Sequence, residues 1–199
     1  MTTLVLWRHA ATPYNASKRL QGNLDIALDD DGFAQARRAA AALHRRYGTP
    51  TSIVASPLAR AASTAQALAD ISGTAVTADA RITQRSYGEW EGLTWDEIER
   101  DYPEQYGRRM RNEDPDIAGW GKAVDVAARV ASVLDDLADA GGTHVLVSHG
   151  SSLSLGLAYA LGLPLETRAL ARIRHARWVE LGRLPAGRWQ LRRFNVGVD

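Results

Sequence analysis

Three short runs, LVLWRH at 4–9, TSIVAS at 51–56 and THVLVSHG at 143–150, are dominated by apolar, β-favouring residues until polar groups close them. A continuous apolar run of this length, rather than an alternation, predicts a strand covered on both faces. Helical periods alternate with these runs. Residues 29–47 carry small and apolar side chains at helical spacing and stop at Gly48, residues 58–71 follow Pro57 and stop near Gly73, and a third helix is expected at about 121–140 before Gly141 and Gly142. Near the end, ARWVEL and GRWQLRRFN flank a Pro-Ala-Gly turn, which predicts a hairpin or two late strands. The alternation predicts an α/β chain: a three-layer α/β/α sandwich with a mostly parallel central sheet, in one domain spanning 1–199. The segment 92–121, rich in Trp, Tyr, Arg and acids, interrupts the pattern and reads as a small inserted cap over one end of the sheet.

Composition narrows the class. With 45% hydrophobic and 24% charged residues over 199 positions, the chain has enough apolar content for a sizeable core and no sign of disorder. The formal net charge is +1 without a basic run, so neither nucleic acid nor an anionic membrane surface is an expected partner. There is no cysteine, which removes disulfides and thiolate metal sites. No apolar run reaches the roughly 18 residues a membrane span needs, and no signal-like segment opens the chain, so a cytoplasmic location is expected.

In an open parallel sheet, polar residues just past the carboxyl ends of strands face the ligand crevice. His9 and His149 both stand there. Arg8 precedes the first, and Gly150 and Ser151 follow the second at the start of an apolar helical run, whose N-terminus suits an anion. Arg60 joins them if the helix within ASPLARAASTA begins just beyond its strand. Two imidazoles and two guanidiniums around one anion are therefore expected. His44, His144 and His175 have no matching context and read as hydrogen-bonded structural residues.

Four stretches in order, RHAATPYN, SPLARAASTA, YGEWEG and VSHG, resemble the histidine phosphatase superfamily, also called phosphoglycerate mutase-like. The likeness runs from Leu4 to about Leu161, and the closing WQLRRFN is similar to the compact bacterial phosphatase branch that includes glucosyl-3-phosphoglycerate phosphatase and α-ribazole phosphatase. The resemblance implies a phosphohistidine mechanism with His9 as nucleophile and Arg8, Arg60 and His149 as the phosphate pocket. Asn15 falls on the motif position that holds phosphate or positions the nucleophile, and Gln21, Gly22, Gln84, Gly150 and Ser151 complete the expected phosphate and substrate contacts. No metal and no cofactor is implied, because fixed Arg donors can stabilise the charge spread over the equatorial oxygens in phosphoryl transfer.

Two departures bear on chemistry. Where the family motif reads Arg-His-Gly, this chain has Ala10. Four residues before Gly88, at the position of the family's general-acid Glu, stands Gln84, which can hydrogen-bond a phosphate oxygen but cannot protonate a leaving alkoxide. Loss of such an acid costs about a hundred- to ten-thousand-fold in rate. Glu89 and Glu91 are the nearest substitutes, although exposed charges or caps are the simpler reading, and Asp114 and Asp116 are weaker candidates. Arg108, Arg109 and Arg111 are placed to meet a second anion or to form a solvated helix face, and Trp95 and Trp120 to line an entrance or pack the insertion.

The expected function is that of a metal-independent phosphomonoesterase acting on a small phosphorylated metabolite through His9. The short insertion argues against a mutase. The alternative is a degenerate family member that binds a phosphorylated ligand without efficient hydrolysis, or one recruited to non-hydrolytic chemistry. A homodimer is left open.

Overall fold

The computed structural model describes residues 2–167, 169–185 and 187–198. Its elements in chain order are β1 (Thr2–Arg8), α1 (Pro13–Ala16), α2 (Asp30–Tyr47), β2 (Ser52–Ala55), α3 (Ala59–Ser72), β3 (Val76–Ala78), α4 (Trp95–Asp101), α5 (Pro103–Met110), α6 (Ala123–Asp136), β4 (Gly142–Ser148), α7 (Gly150–Ala160), β5 (Trp178–Arg183) and β6 (Trp189–Val196). Short 3₁₀ turns at Ala80–Ile82 and Gly88–Trp90 link β3 to the cap.

Strand geometry sends successive side chains to opposite faces, and β1 shows where each set goes. Val5 and Trp7 pack with Ala36, Ala40 and Leu43 of α2 and with Ala61, Ala65 and Leu68 of α3. Leu4 and Leu6 pack with Val130 and Leu134 of α6 and with Leu153 and Leu157 of α7. Helices therefore cover both faces, which is why the sequence of these strands shows no polar alternation. The sheet order is β3-β2-β4-β1-β5-β6, with parallel pairing from β3 through β1 and antiparallel pairing of β5 with β1 and of β6 with β5. The result is the mostly parallel, three-layer α/β sandwich that the alternation predicted.

Several boundaries moved. Asp29 is the N-cap of α2 rather than its first residue, its side chain accepting from the Gly32 N–H at 2.8 Å. The helix expected at about 121–140 occupies only Ala123–Asp136. β3, three residues long and only partly buried, was not anticipated because so short a run carries no period. Within 92–121 lie α4 and α5, whose Trp95, Ile98 and Tyr106, with Tyr102 between the two helices, join Leu20, Trp90 and Trp120 in a separate apolar cluster. No helix of the described residues is long and apolar enough to cross a membrane.

The layer formed by α6 and α7 depends on one close approach. A Cβ built on Gly156 of α7 would lie 2.9 Å from Val130 Cβ, and closer still to its Cγ1. Gly156→Ala gains about 1 kcal/mol of helix propensity but overpacks a filled core, at a cost of about 1–3 kcal/mol. The expected net is destabilisation in urea denaturation. A Val130→Ala, Gly156→Ala pair should be more stable than the sum of its single effects, since the two changes share one space.

Candidate active site

The adjacent parallel strands β1 and β4 run in register, Arg8 beside Ser148, so the residues that follow them emerge side by side. The His9 N–H donates to Ser148 O at 2.9 Å, and the rings of His9 and His149 lie 5.1 Å apart at 57°. Arg60 enters from the first turn of α3, which begins four residues beyond β2. The two strand ends and one helix start thus bring Arg8, His9, Arg60 and His149 to one crevice.

His9 Nδ1 lies 2.6 Å from the carbonyl of Ala10. A carbonyl only accepts, so Nδ1 carries the proton and Nε2 keeps its lone pair. Burial, then the neighbouring His149, Arg8, His175 and Arg60, hold the His9 pKa well below the usual imidazole value. The ring is therefore neutral, as a nucleophile must be. Burial, Arg60 and Arg8 act in the same direction on His149, whose Nε2 pairs with Ser56 Oγ at 2.8 Å.

Both arginines are fixed by backbone carbonyls. Arg60 donates to Leu24 O and Gly22 O, each at 2.7 Å, and Arg8 donates to Ile173 O at 2.7 Å and to His175 Nε2 at 2.8 Å. Each keeps a buried Nε–H without a partner, a donor for which an oxyanion is the natural acceptor. Burial, with the charge of Arg172 next, pushes the Arg8 guanidinium down to about 9, and burial pushes Arg60 down to about 10. Gly150 lies against Arg8, where a Cβ would stand 3.1 Å from Arg8 Cζ, so a side chain there would displace the guanidinium.

Arg8, His9, Asn15, Gln21, Arg60 and Gln84 line a cavity of about 930 Å³. Among the other residues expected at the site, His149 is wholly buried beside His9, Gly22 holds Arg60 through its carbonyl, and Gly150 and Ser151 form the start of α7; none of these four lines the cavity. Asn15 uses Oδ1 to accept from the Thr12 N–H and hydroxyl in a capping box at α1, which leaves its amide nitrogen as donor. The Gln84 Oε1 accepts from the Arg85 N–H at 3.0 Å and lies 3.3 Å from Ser152 Oγ, whose one hydroxyl proton points to Thr83 O at 2.8 Å. That orientation makes the Gln84 amide nitrogen its free hydrogen-bonding group.

The candidate substitute acids are engaged elsewhere. Glu91 Oε1 accepts from the N–H groups of Asn23 and Tyr87 at 3.0 Å and from Ser86 Oγ at 3.3 Å, and Glu89 is exposed and does not line the cavity. Asp114 pairs with the buried Arg85 and accepts from Ala123 N–H at 2.8 Å, tying the cap to α6. Asp116 lies off the cavity as well. Among the described residues no cluster of three or more His, Cys, Asp or Glu is arranged to hold a metal ion.

A sequence model of the histidine phosphatase superfamily (branch 1) matches residues 4–197. The chain belongs to that superfamily. It is 38% identical over 193 residues to the glucosyl-3-phosphoglycerate phosphatase of Mycolicibacterium vanbaalenii, covering 89% of this chain and 83% of that one. Among solved structures, the mycobacterial glucosyl-3-phosphoglycerate phosphatase in complex with VO3 superposes with a TM-score of 0.89 at 35% identity, over 98% of this chain and 99% of that one. The phosphoserine phosphatase of Entamoeba histolytica in complex with 3-phosphoglyceric acid gives a TM-score of 0.87 at 28% identity, over 98% of each chain.

In this histidine phosphatase chain, the sequence reading missed one wall. His175 was read only as a hydrogen-bonded structural residue; its ring lies 5.2 Å from that of His9 and its Nε2 accepts from Arg8. Burial, then Arg8, lowers its pKa to about 3, so it stays neutral. Arg172, Arg174 and Arg177 line the cavity with it. The signal was the alternating basic pattern of ARIRHARW before a strand, but its meaning depends on β5 running antiparallel to β1, which no local pattern encodes. His144 does match its structural reading, bonded to Ser52 Oγ at 2.8 Å and Gly141 O at 2.7 Å. Trp95 lines the cavity, whereas Trp120 packs in the cap cluster, and Arg108, Arg109 and Arg111 lie off the cavity.

Proposed function

We propose that the protein is a metal-independent phosphomonoesterase working through a phosphohistidine on His9. The observation that carries this reading is the state of His9: neutral, with Nδ1–H held by the Ala10 carbonyl, between two buried arginines, and with neither its Nε2 nor their Nε–H groups hydrogen-bonded among the described residues. Nε2 attacks phosphorus, the P–O ester bond breaks, and the leaving oxygen takes its proton from water, since Gln84 offers it only an amide N–H. Water then attacks the phosphohistidine, releases inorganic phosphate and restores the imidazole. Arg8 and Arg60 match the transferring oxygens with rigid, permanently charged donors and need no reorganisation as charge develops. Kinship with phosphatases that act on or bind small phosphorylated acids supports the substrate scale.

A second reading, a phosphate binder with weak turnover, is favoured by Gln84 alone. One experiment separates them. An aryl phosphate, whose leaving group needs no proton, should be hydrolysed at a rate unchanged by excess chelator, and rapid quenching should trap an acid-labile, base-stable phosphoprotein. A strict metal requirement, or turnover that never phosphorylates the protein, would contradict the mechanism. Tight phosphate binding without any turnover would favour the binder.

A further inference from the structure

The cavity holds more positive charge than one phosphate group can balance. Seven Lys and Arg side chains line it, Arg8, Lys18, Arg19, Arg60, Arg172, Arg174 and Arg177, and no Asp or Glu does, although the chain's formal charge is only +1. Arg8 and Arg60 alone match a phosphate dianion. Arg19 is committed outward, to Gly92 O at 2.7 Å and Glu97 at 3.2 Å. Arg177 is only half-exposed and engaged elsewhere, which leaves Lys18, Arg172 and Arg174: all three are exposed at the rim, and their side chains make no hydrogen bond or ion pair within the described residues. Lys18 also holds φ +57°, a left-handed conformation that an L residue adopts at some cost. Ordinary surfaces intersperse the two signs of charge; here two separate chain segments converge with one sign only. The charge of Arg172 already reaches the phosphate pocket, since it lowers the pKa of both Arg8 and His175.

We propose that Lys18, Arg172 and Arg174 form a second anion subsite at the cavity rim, so that the preferred substrate is a phosphomonoester bearing another anionic group, a carboxylate or a second phosphate. This inference rests on the phosphatase reading of the inner pocket. It assigns recognition of the second group to the segment before β5 and the turn after α1, and not to Arg108, Arg109 and Arg111 of the cap.

The test compares probes that differ only at the far end: 3-phosphoglycerate against glycerol 3-phosphate, and propane-1,3-diol bisphosphate against propyl phosphate, with inorganic phosphate as reference. Binding is measured by calorimetry at low ionic strength in a His9→Ala background, so that no probe is consumed. At least one doubly anionic probe should bind about ten- to a hundredfold tighter than its partner, the range for charge-assisted hydrogen bonds. Whichever ratio is larger names the second group. A Lys18→Gln, Arg172→Gln, Arg174→Gln variant should bring that ratio to about one while inorganic phosphate affinity changes by less than about threefold, and added salt should shrink the ratio because the rim is solvated. Equal ratios before and after the triple change, or equal losses for every probe, would overturn the subsite. Failure of inorganic phosphate to bind at all would instead sink the phosphatase reading and this inference with it.

Discussion

A His9→Ala protein is expected to fold, to bind inorganic phosphate and to hydrolyse no phosphomonoester above background. Removal of the nucleophile from a covalent mechanism costs on the order of a millionfold. The loss should be this complete because neither neighbouring imidazole stands in the place of His9. His149 lies 5.1 Å away with Nε2 paired to Ser56, and His175 lies 5.2 Å away with Nε2 accepting from Arg8. Circular dichroism and thermal melting should be close to those of the unaltered protein, since the ring contributes no cross-element hydrogen bond beyond its own backbone neighbour. Retention of even one per cent of the activity, or a phosphorylated residue other than His9 in the unaltered protein, would reassign the nucleophile.

The second large effect concerns Gln84. Gln84→Glu should raise turnover of alkyl phosphates by about a hundredfold or more while changing aryl phosphate turnover only modestly. The new carboxyl group would inherit the hydrogen bond that the amide oxygen now accepts from the Arg85 N–H, so one oxygen is positioned at the outset. Its other oxygen replaces the amide nitrogen and can carry the proton that a basic alkoxide requires. An aryloxide departs without that help, which is why the two substrate classes should separate. If the unaltered protein already turns over alkyl esters rapidly and Glu adds nothing, another group supplies the proton. The bound state of Glu91 and the outward placement of Glu89 direct that search to Tyr87, the hydroxyl-bearing aromatic on the cavity wall. If Gln84→Glu stays inactive on every ester while phosphate binds, the binder reading prevails.

Arg8 and His9 were legible because a continuous apolar strand ended on them, and β1 is covered by helices on both faces. His149 was legible for the same reason at the end of β4. Arg60 followed from Pro57 and the helix start just beyond β2. Each of these signals is local, and a parallel sheet converts local strand ends into a shared crevice. His175 and the arginines around it could not be found this way. Their placement is a consequence of strand direction: Trp7 pairs with Trp178, so the start of β5 lies at the end of β1. Asn15, Gln21 and Gln84 came from motif positions, and the structure adds which atom of Asn15 and of Gln84 is already spent on the protein. The charge pattern misled in one respect, because the near-neutral total concealed a cavity lined by cations of one sign.

The antiparallel placement of β5 has a consequence for folding. Both side-chain partners of Arg8, Ile173 O and His175 Nε2, lie 165 and 167 positions downstream. The strand that bears it sits between β4 and β5, so both of its ladders join it to distant segments of the chain. Such distant pairings make folding slow relative to local ones. The surroundings of His9, the His175 ring among them, are therefore assembled only when β5 docks against β1.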